Sequence, residues 1–208
     1  MKQIFCAKIG IELKKHLIDF RKELFRKSIH MCTAFVPLFL HFSYALTVAL
    51  LCGAACFYVV AESLRIRGTD VPLVSAVTAA AARKRDENRF VLGPVTLVAG
   101  IVLTALFWKE RAAQVGILAL AFGDGLASLA GKSLGHAVVP FTHGKTAAGS
   151  LACFLAIFCV TFFVCADTAL SLVIAGAGMC IELLPLKDYD NLLIPVFLGG
   201  LTQYLAKL

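Results

Sequence analysis

The sequence predicts an all-α integral membrane protein with about seven transmembrane helices and an N-terminal amphipathic helix. Three observations carry that expectation. First, 60% of the 208 residues are apolar and 16% charged, with a mean hydropathy of +0.85, whereas a soluble domain is about 45–50% apolar and about 25% charged. Second, the apolar residues gather into stretches approaching the ~20 residues that a membrane helix needs. Third, the Lys and Arg residues fall almost entirely between alternate stretches, on one side. A soluble globular domain is excluded because a chain of this size still has a water-facing surface to cover. Disorder is excluded because it requires few apolar residues.

Taken in order, residues 1–28 carry charges throughout and lack the basic start, apolar stretch and small-residue cleavage site of a signal peptide. They are expected to form an amphipathic helix on the membrane surface. Apolar spans follow at 29–43, 44–62, 90–107, 112–130, 147–166, 168–185 and 191–206, the first short and ending near His41 and Ser43. The stretch 71–82 is too short to cross and reads as an interfacial or re-entrant helix leading into the charged run 83–87. The domain plan is a cytoplasmic amphipathic helix at 1–28 and a polytopic membrane catalytic domain at 29–208.

The net charge is +7, from 20 Lys and Arg against 13 Asp and Glu. With seven spans and a cytoplasmic N-terminus, 17 of the 20 basic residues lie on the cytoplasmic side, leaving Lys109, Arg111 and Lys207 opposite. The positive-inside rule therefore sets the orientation, and the basic excess reads as topology rather than nucleic-acid binding. A bacterial inner membrane is the expected location. The eight cysteines show no Cys-x-x-Cys pair and read as small packing residues within spans.

Ionisable residues inside spans are costly and mark functional sites. Glu62, Asp124 and Glu182 stand out, each near the cytoplasmic end of its span. The densest region is FGDGLASLAGKSLGHAVVPFTHGKTAAGS, residues 122–150, with six glycines, Lys132, Lys145 and Asp124. Glycines let backbone N–H groups approach phosphate oxygens, and lysines neutralise phosphate charge. Gly123, Gly131, Gly135, Gly144 and Gly149 are thus candidate phosphate contacts, with small-x-x-x-small helix packing as the plainer role for Gly131 and Gly135. Asp124 is a candidate Mg²⁺ ligand, joined by Asp190 or Glu182. A P-loop is rejected. GKS at 131–133 and GKT at 144–146 would need glycine at 126 or 139, which are Leu126 and Val139.

A second cluster is ELFRKSIH, residues 23–30, whose Glu23, Arg26, Lys27 and His30 share one helix face. Its plainer role is a basic membrane anchor, which His30 fits poorly because it enters the apolar span. A third is ELLPLKDYDNLLIP, residues 182–195, with Asp190 and Asn191 at the mouth of the last span, either as a helix cap or as metal or ribose contacts.

Together, ELFRKSIH, FGDGLASLAGKSLG with THGKTAAGS, and DNLLIP resemble, in the same order, the CTP-dependent lipid kinase family. This family includes dolichol kinase, phytol kinase and the CTP-dependent diacylglycerol kinase of fungi, and is related to phosphatidate cytidylyltransferases. The resemblance runs over roughly 23–200. It implies transfer of the γ-phosphoryl group of CTP to a lipid hydroxyl with a divalent metal. It also implies functional roles for Arg26, Lys27, Asp124, Gly131, Lys132, Lys145, Thr146, Gly149, Ser150, Asp190 and Asn191. The Arg…Glu element that usually precedes the third span corresponds to Arg83 or Arg85 with Glu87. The longer Asp-, Gly- and His-rich C-terminal signature of the cytidylyltransferases is not found, which favours the kinase. Lys132, Lys145, Arg26 and Lys27 would clamp phosphates, and a carboxylate or His30 would take the hydroxyl proton of the lipid alcohol, a diacylglycerol, polyprenol or phytol type. Two rival readings are a cytidylyltransferase making CDP-diacylglycerol and a small transporter using Glu62, Asp124 and Glu182 as an ion path.

Overall fold

Every apolar stretch expected as a span contains a helix in the computed structural model, which describes residues 18, 20–69, 71–81, 89–135, 137–140, 142 and 144–207. Residues 20–42 form one rod, α1, with a 3-10 turn at Thr33–Phe35. After it come α2 (Tyr44–Ile66), the short α3 (Pro72–Ala81) and α4 (Gly93–Phe107). Next are α5 (Glu110–Leu134), α6 (Ala147–Cys165), α7 (Thr168–Leu183) and α8 (Asp190–Leu205). Among the described residues there is no strand, only an isolated bridge between Val138 and Thr146.

The boundaries follow from local chemistry. Pro94 stands in the first turn of α4, where its missing N–H costs nothing. Thr146 and Asp167 cap α6 and α7 by accepting from the N–H groups of Gly149 and Leu170. Ala166 turns the chain between α6 and α7 in the left-handed region.

Among the described residues three helices, α2, α5 and α6, are long and apolar enough to cross a membrane. That is fewer than the seven expected. Helices α4 and α7 are apolar but hold 15 and 16 residues. At 1.5 Å per residue they reach about 22–24 Å, short of a ~30 Å hydrocarbon core. The amphipathic helix expected over 1–28 falls mostly outside the described residues. Its described part, 20–28, runs unbroken into the first apolar stretch, and it buries Glu23 and Lys27 rather than lying free on a surface.

Helix α5 is the central post. Of its apolar window 67% is buried, against 11% of that of α2. Ile117 and Leu120 of α5 meet Ile157 of α6, Ile174 of α7 and Leu198 of α8 in one core. Glycines set the close approaches. A Cβ at Gly116 or Gly100 would run into the backbone of α8, at Pro195 and Asn191 respectively. The buried hydroxyls of Thr104 and Thr202 are satisfied within their own helices, donating to the carbonyls of Gly100 (2.6 Å) and Leu198 (2.7 Å). Leu46, Leu50, Phe57 and Val60 of α2 remain exposed, an apolar belt too large for water and suited to lipid.

The up-and-down course brings the C-terminal ends of α2, α5 and α7 together with the N-terminal ends of α1, α4, α6 and α8. All the clusters singled out above therefore meet at one end of the bundle.

Candidate active site

Asp124 closes a π-helical turn, Ala119–Asp124, in the middle of α5. One extra residue in a helical turn rotates the face that follows by roughly 100°. This swings the carboxylate toward α1, where Lys27 Nζ pairs with Asp124 Oδ2. Both side chains are almost fully buried (3% and 4% exposed). His30, one turn on from Lys27, places Nδ1 3.4 Å from the same oxygen. The i, i+3, i+4, i+7 face of ELFRKSIH is thus turned inward against α5.

Glu23 begins that face. It accepts from Arg26 Nη2 and, at 2.5 Å, from Lys132 Nζ of α5. Burial pushes its carboxyl pKa up, but the Arg26 and Lys132 cations outweigh burial and hold it below the ordinary glutamate value. The described residues between α5 and α6 pair across a turn, with Val139 N donating to Lys145 O (2.8 Å) and Ala147 N to Ala137 O (2.9 Å). Gly144 makes this turn in the left-handed region at φ 97°, which only glycine enters without strain. The turn delivers Lys145 to Glu182 at the end of α7, Nζ to Oε1 at 2.5 Å, and Ser150 Oγ donates to Glu182 Oε2 at 3.5 Å. Lys27, Arg26, Lys132 and Lys145 each face a carboxylate.

Two cavities flank this network. One, of about 360 Å³, is lined by Glu23, Ser128, Gly131, Lys132, Gly144, Lys145, Thr146, Gly149 and Glu182. It opens at the N-terminus of α6, where the helix dipole favours anions. The other, of about 200 Å³, has apolar walls from Ile29, Tyr58, Val77, Val91, Pro94 and Leu97, and a charged end at Arg26, Lys27, His30, Asp124, Lys187, Asp188 and Asp190. Asn191 also lines it, donating through Nδ2 to Thr96 Oγ1 (3.2 Å) and Gly93 O (3.4 Å) of α4.

The residues singled out in the sequence divide accordingly. Lys132, Lys145, Gly131, Gly144, Thr146, Gly149 and Glu182 line the glycine-rich cavity, while Arg26, Lys27, His30, Asp124, Asp190 and Asn191 line the apolar one. Ser150 stands behind Glu182. Gly123 and Gly135 line neither cavity; a Cβ on Gly123 would stand 2.8 Å from Ile157, and one on Gly135 2.7 Å from Thr146 Cβ. Gly149 combines the two roles, since its Cβ would come 2.8 Å from the backbone oxygen of Ala127. Glu62 lies apart from Asp124 and Glu182, held by Arg65. The candidate Arg83/Arg85–Glu87 element lies outside the described residues. Glu23, and Tyr58 and Thr78 which line the apolar cavity, carry no assigned role in the sequence. For Glu23 the signal was present in its i, i+3 spacing to Arg26.

Among the described residues no group of three His, Cys, Asp or Glu side chains is placed to hold a metal ion unaided. Asp124 and Asp190 do share one cavity wall. Two carboxylates with room for waters and phosphate oxygens are a donor set suited to Mg²⁺, which seldom takes an all-protein cage. Glu182 is engaged by Lys145 on the other cavity.

A protein whose described residues are helical, with three membrane-length helices among them, and that gathers cations, carboxylates and a glycine-lined cavity beside an apolar one, belongs to the class of helical membrane proteins with a built polar site at one end. Its relatives are more specific. A probable phytol kinase 1 of Oryza sativa subsp. japonica, described as chloroplastic, is 30% identical over 161 residues, covering 68% of this chain and 49% of that protein. A probable phytol kinase 2 of the same species is 26% identical over 205 residues, 87% of this chain and 66% of that protein. The phytol kinase 1 of Arabidopsis thaliana is 28% identical over 107 residues, 49% of this chain and 34% of that protein. The chain is a relative of the phytol kinases, and the relationship to the CTP-dependent lipid kinase family expected from its motifs holds. It spans from about half to about two thirds of the length of the first two of these relatives. No protein-family model and no solved structure matches it. The relatives' names point to chloroplasts and lend nothing to a bacterial inner membrane.

Proposed function

We propose that this protein is a membrane lipid kinase that transfers the γ-phosphoryl group of CTP to the hydroxyl of a lipid alcohol of the phytol or polyprenol type, at the cytoplasmic face. The phytol kinase relatives support the kinase class. The observation that carries the reading is the pair of cavities flanking one charged network, a polar, glycine-lined one and a largely apolar one whose charged end holds Lys27 and Asp124. A triphosphate suits the first and a lipid alcohol the second.

Phosphoryl transfer depends on in-line positioning and on neutralising charge spread over the γ-phosphoryl oxygens. Lys132 and Lys145 would exchange their carboxylate partners for phosphate oxygens at the N-terminus of α6, while Arg26 and Lys27 approach from α1. A divalent cation such as Mg²⁺, when bound, supplies charge neutralisation between the phosphates, and Asp124 and Asp190 are the residues that would hold it. The lipid hydroxyl, arriving from the apolar cavity, meets Asp124 and His30, and its proton passes to the His30 imidazole as the oxygen–phosphorus bond forms. The nucleoside diphosphate leaves with the bridging electrons.

The test is transfer from CTP labelled at either the α- or the γ-phosphate to phytol, to diacylglycerol and to phosphatidate in mixed micelles. γ-Label in phytol phosphate is the expected result. α-Label in the lipid indicates nucleotidyl transfer and overturns the reading, as does equal use of ATP for the choice of donor.

A further inference from the structure

Glu62 is fully buried near the C-terminal end of α2, and nothing in the phosphoryl-transfer scheme uses it. A buried carboxylate is expensive unless paired and hydrogen-bonded, and this one is. It accepts from Arg65 Nε at 2.8 Å, Arg65 Nη2 at 2.7 Å and the backbone N–H of Val91 at 2.9 Å. Arg65 Nη2 also donates to Arg89 O at 3.0 Å, and Tyr58 OH to Val91 O at 3.0 Å. Tyr58, Glu62 and Arg65 are spaced i, i+4, i+7 and so share one face of α2. That face takes up backbone groups of Arg89 and Val91, which precede α4 and lie in no helix. Phe90 between them packs edge-on against the Tyr58 ring at 6.4 Å.

The stitched segment is a wall of the apolar cavity. Tyr58, Val91, Gly93 and Pro94 all line it. Immediately beyond, Gly93 O and Thr96 Oγ1 receive the Asn191 amide, which braces the start of α8 beside Asp190. An ordinary packing seam is made by apolar side chains, which hold a neighbour without fixing its backbone. A buried carboxylate that accepts a main-chain N–H is directional, and it fixes where the wall stands relative to Asp124 and Asp190.

We infer that Glu62 is a positioning residue for the lipid acceptor, tying segment 89–94 to α2 so that the wall of the apolar cavity sets how the hydroxyl meets Asp124. The inference rests on the reading of that cavity as the acceptor site. In Glu62→Gln the amide cannot accept from Arg65 and Val91 as a carboxylate does. In Tyr58→Phe only the bond to Val91 O is lost.

Steady-state kinetics with full-length protein, phytol in mixed micelles and CTP with Mg²⁺ separate the outcomes. Glu62→Gln is expected to raise the acceptor KM about tenfold, the scale of one hydrogen bond to a charged group, with the KM for CTP and kcat unchanged. Tyr58→Phe is expected to move the same parameter less. A fall in kcat with both KM values unchanged marks a merely structural pair and overturns the inference, as does no change at all. A rise in the KM for CTP instead overturns the assignment of the cavity, with the clamp intact. No wild-type transfer to phytol removes the kinase reading itself, before any variant is compared. Should Glu62→Gln fail to accumulate, Tyr58→Phe decides alone: a raised acceptor KM supports the inference and an unchanged one overturns it.

Discussion

The Lys27–Asp124 pair permits a test that separates what the site does for stability from what it does for chemistry. Both side chains are buried, at 3% and 4% exposure, and they join α1 to the π-turn of α5. Removing one partner of a buried pair leaves the other charge uncompensated and costs about 3–5 kcal/mol, whereas replacing both with neutral groups is often close to neutral. For a chain of this size 1 kcal/mol shifts Tm by about 2–4 °C, so Lys27→Met and Asp124→Asn are each expected to lower Tm by roughly 6–20 °C. The double variant should recover most of that loss, a coupling that double-mutant cycles measure directly. Activity should behave differently. All three variants are expected to lose about a hundredfold or more in kcat, the scale of removing one preorganised charge at a transition state. The assays are thermal unfolding in detergent and γ-labelled transfer on the same samples. A double variant as unstable as the worse single variant refutes the buried-pair argument. A double variant that regains activity along with stability refutes the catalytic one.

Glu23→Gln is expected to be less stable than wild type at neutral pH, because it loses the charge that holds Arg26 and Lys132. Its carboxyl is held below the ordinary value, so its stabilisation is fully present above about pH 4.3 and disappears as pH falls through the lower folded value. The Tm difference between wild type and Glu23→Gln should therefore shrink on acidification below pH 4, and a difference that grows instead contradicts it. Gly149→Ala puts a Cβ 2.8 Å from the Ala127 oxygen and is expected to destabilise by about 1–3 kcal/mol. Gly176→Ala, with nothing within 4 Å, should stabilise α7 by about 0.5–1 kcal/mol; differential scanning fluorimetry compares the two. Chelation of divalent cations should abolish transfer, and Asp190→Asn should raise the Mg²⁺ concentration for half-maximal activity, read from a metal titration. An unshifted titration removes Asp190 as a metal ligand.

The helices were legible in the sequence because apolar runs, caps and prolines act locally. Each expected span holds a helix, and 71–82 holds the short α3. Their lengths were less legible. Helices α4 and α7 stop after 15 and 16 residues because Pro94, Trp108, Asp167 and Leu184 set ends that hydropathy does not register. The inward face of ELFRKSIH was visible as a spacing, but its partners were not, since Lys27 and Asp124 stand 97 positions apart. The glycines carried two signals at once. Gly135 and Gly123 answer helix packing, while Gly131, Gly144 and Gly149 also border a cavity, and composition alone does not sort them.

By itself the sequence determined a helical membrane chain whose charged and glycine-rich motifs belong near one end, because burying apolar stretches and excluding charges from lipid are properties of short segments. Which carboxylate meets which cation was decided only by the tertiary structure. The π-turn before Asp124 rotates its side chain into α1, and the helix crossings at Gly100, Gly116 and Gly149 set how close the neighbours come. Glu62, which looked like a member of the same polar set, was sent to a different task by a backbone N–H at Val91 that no sequence pattern announces.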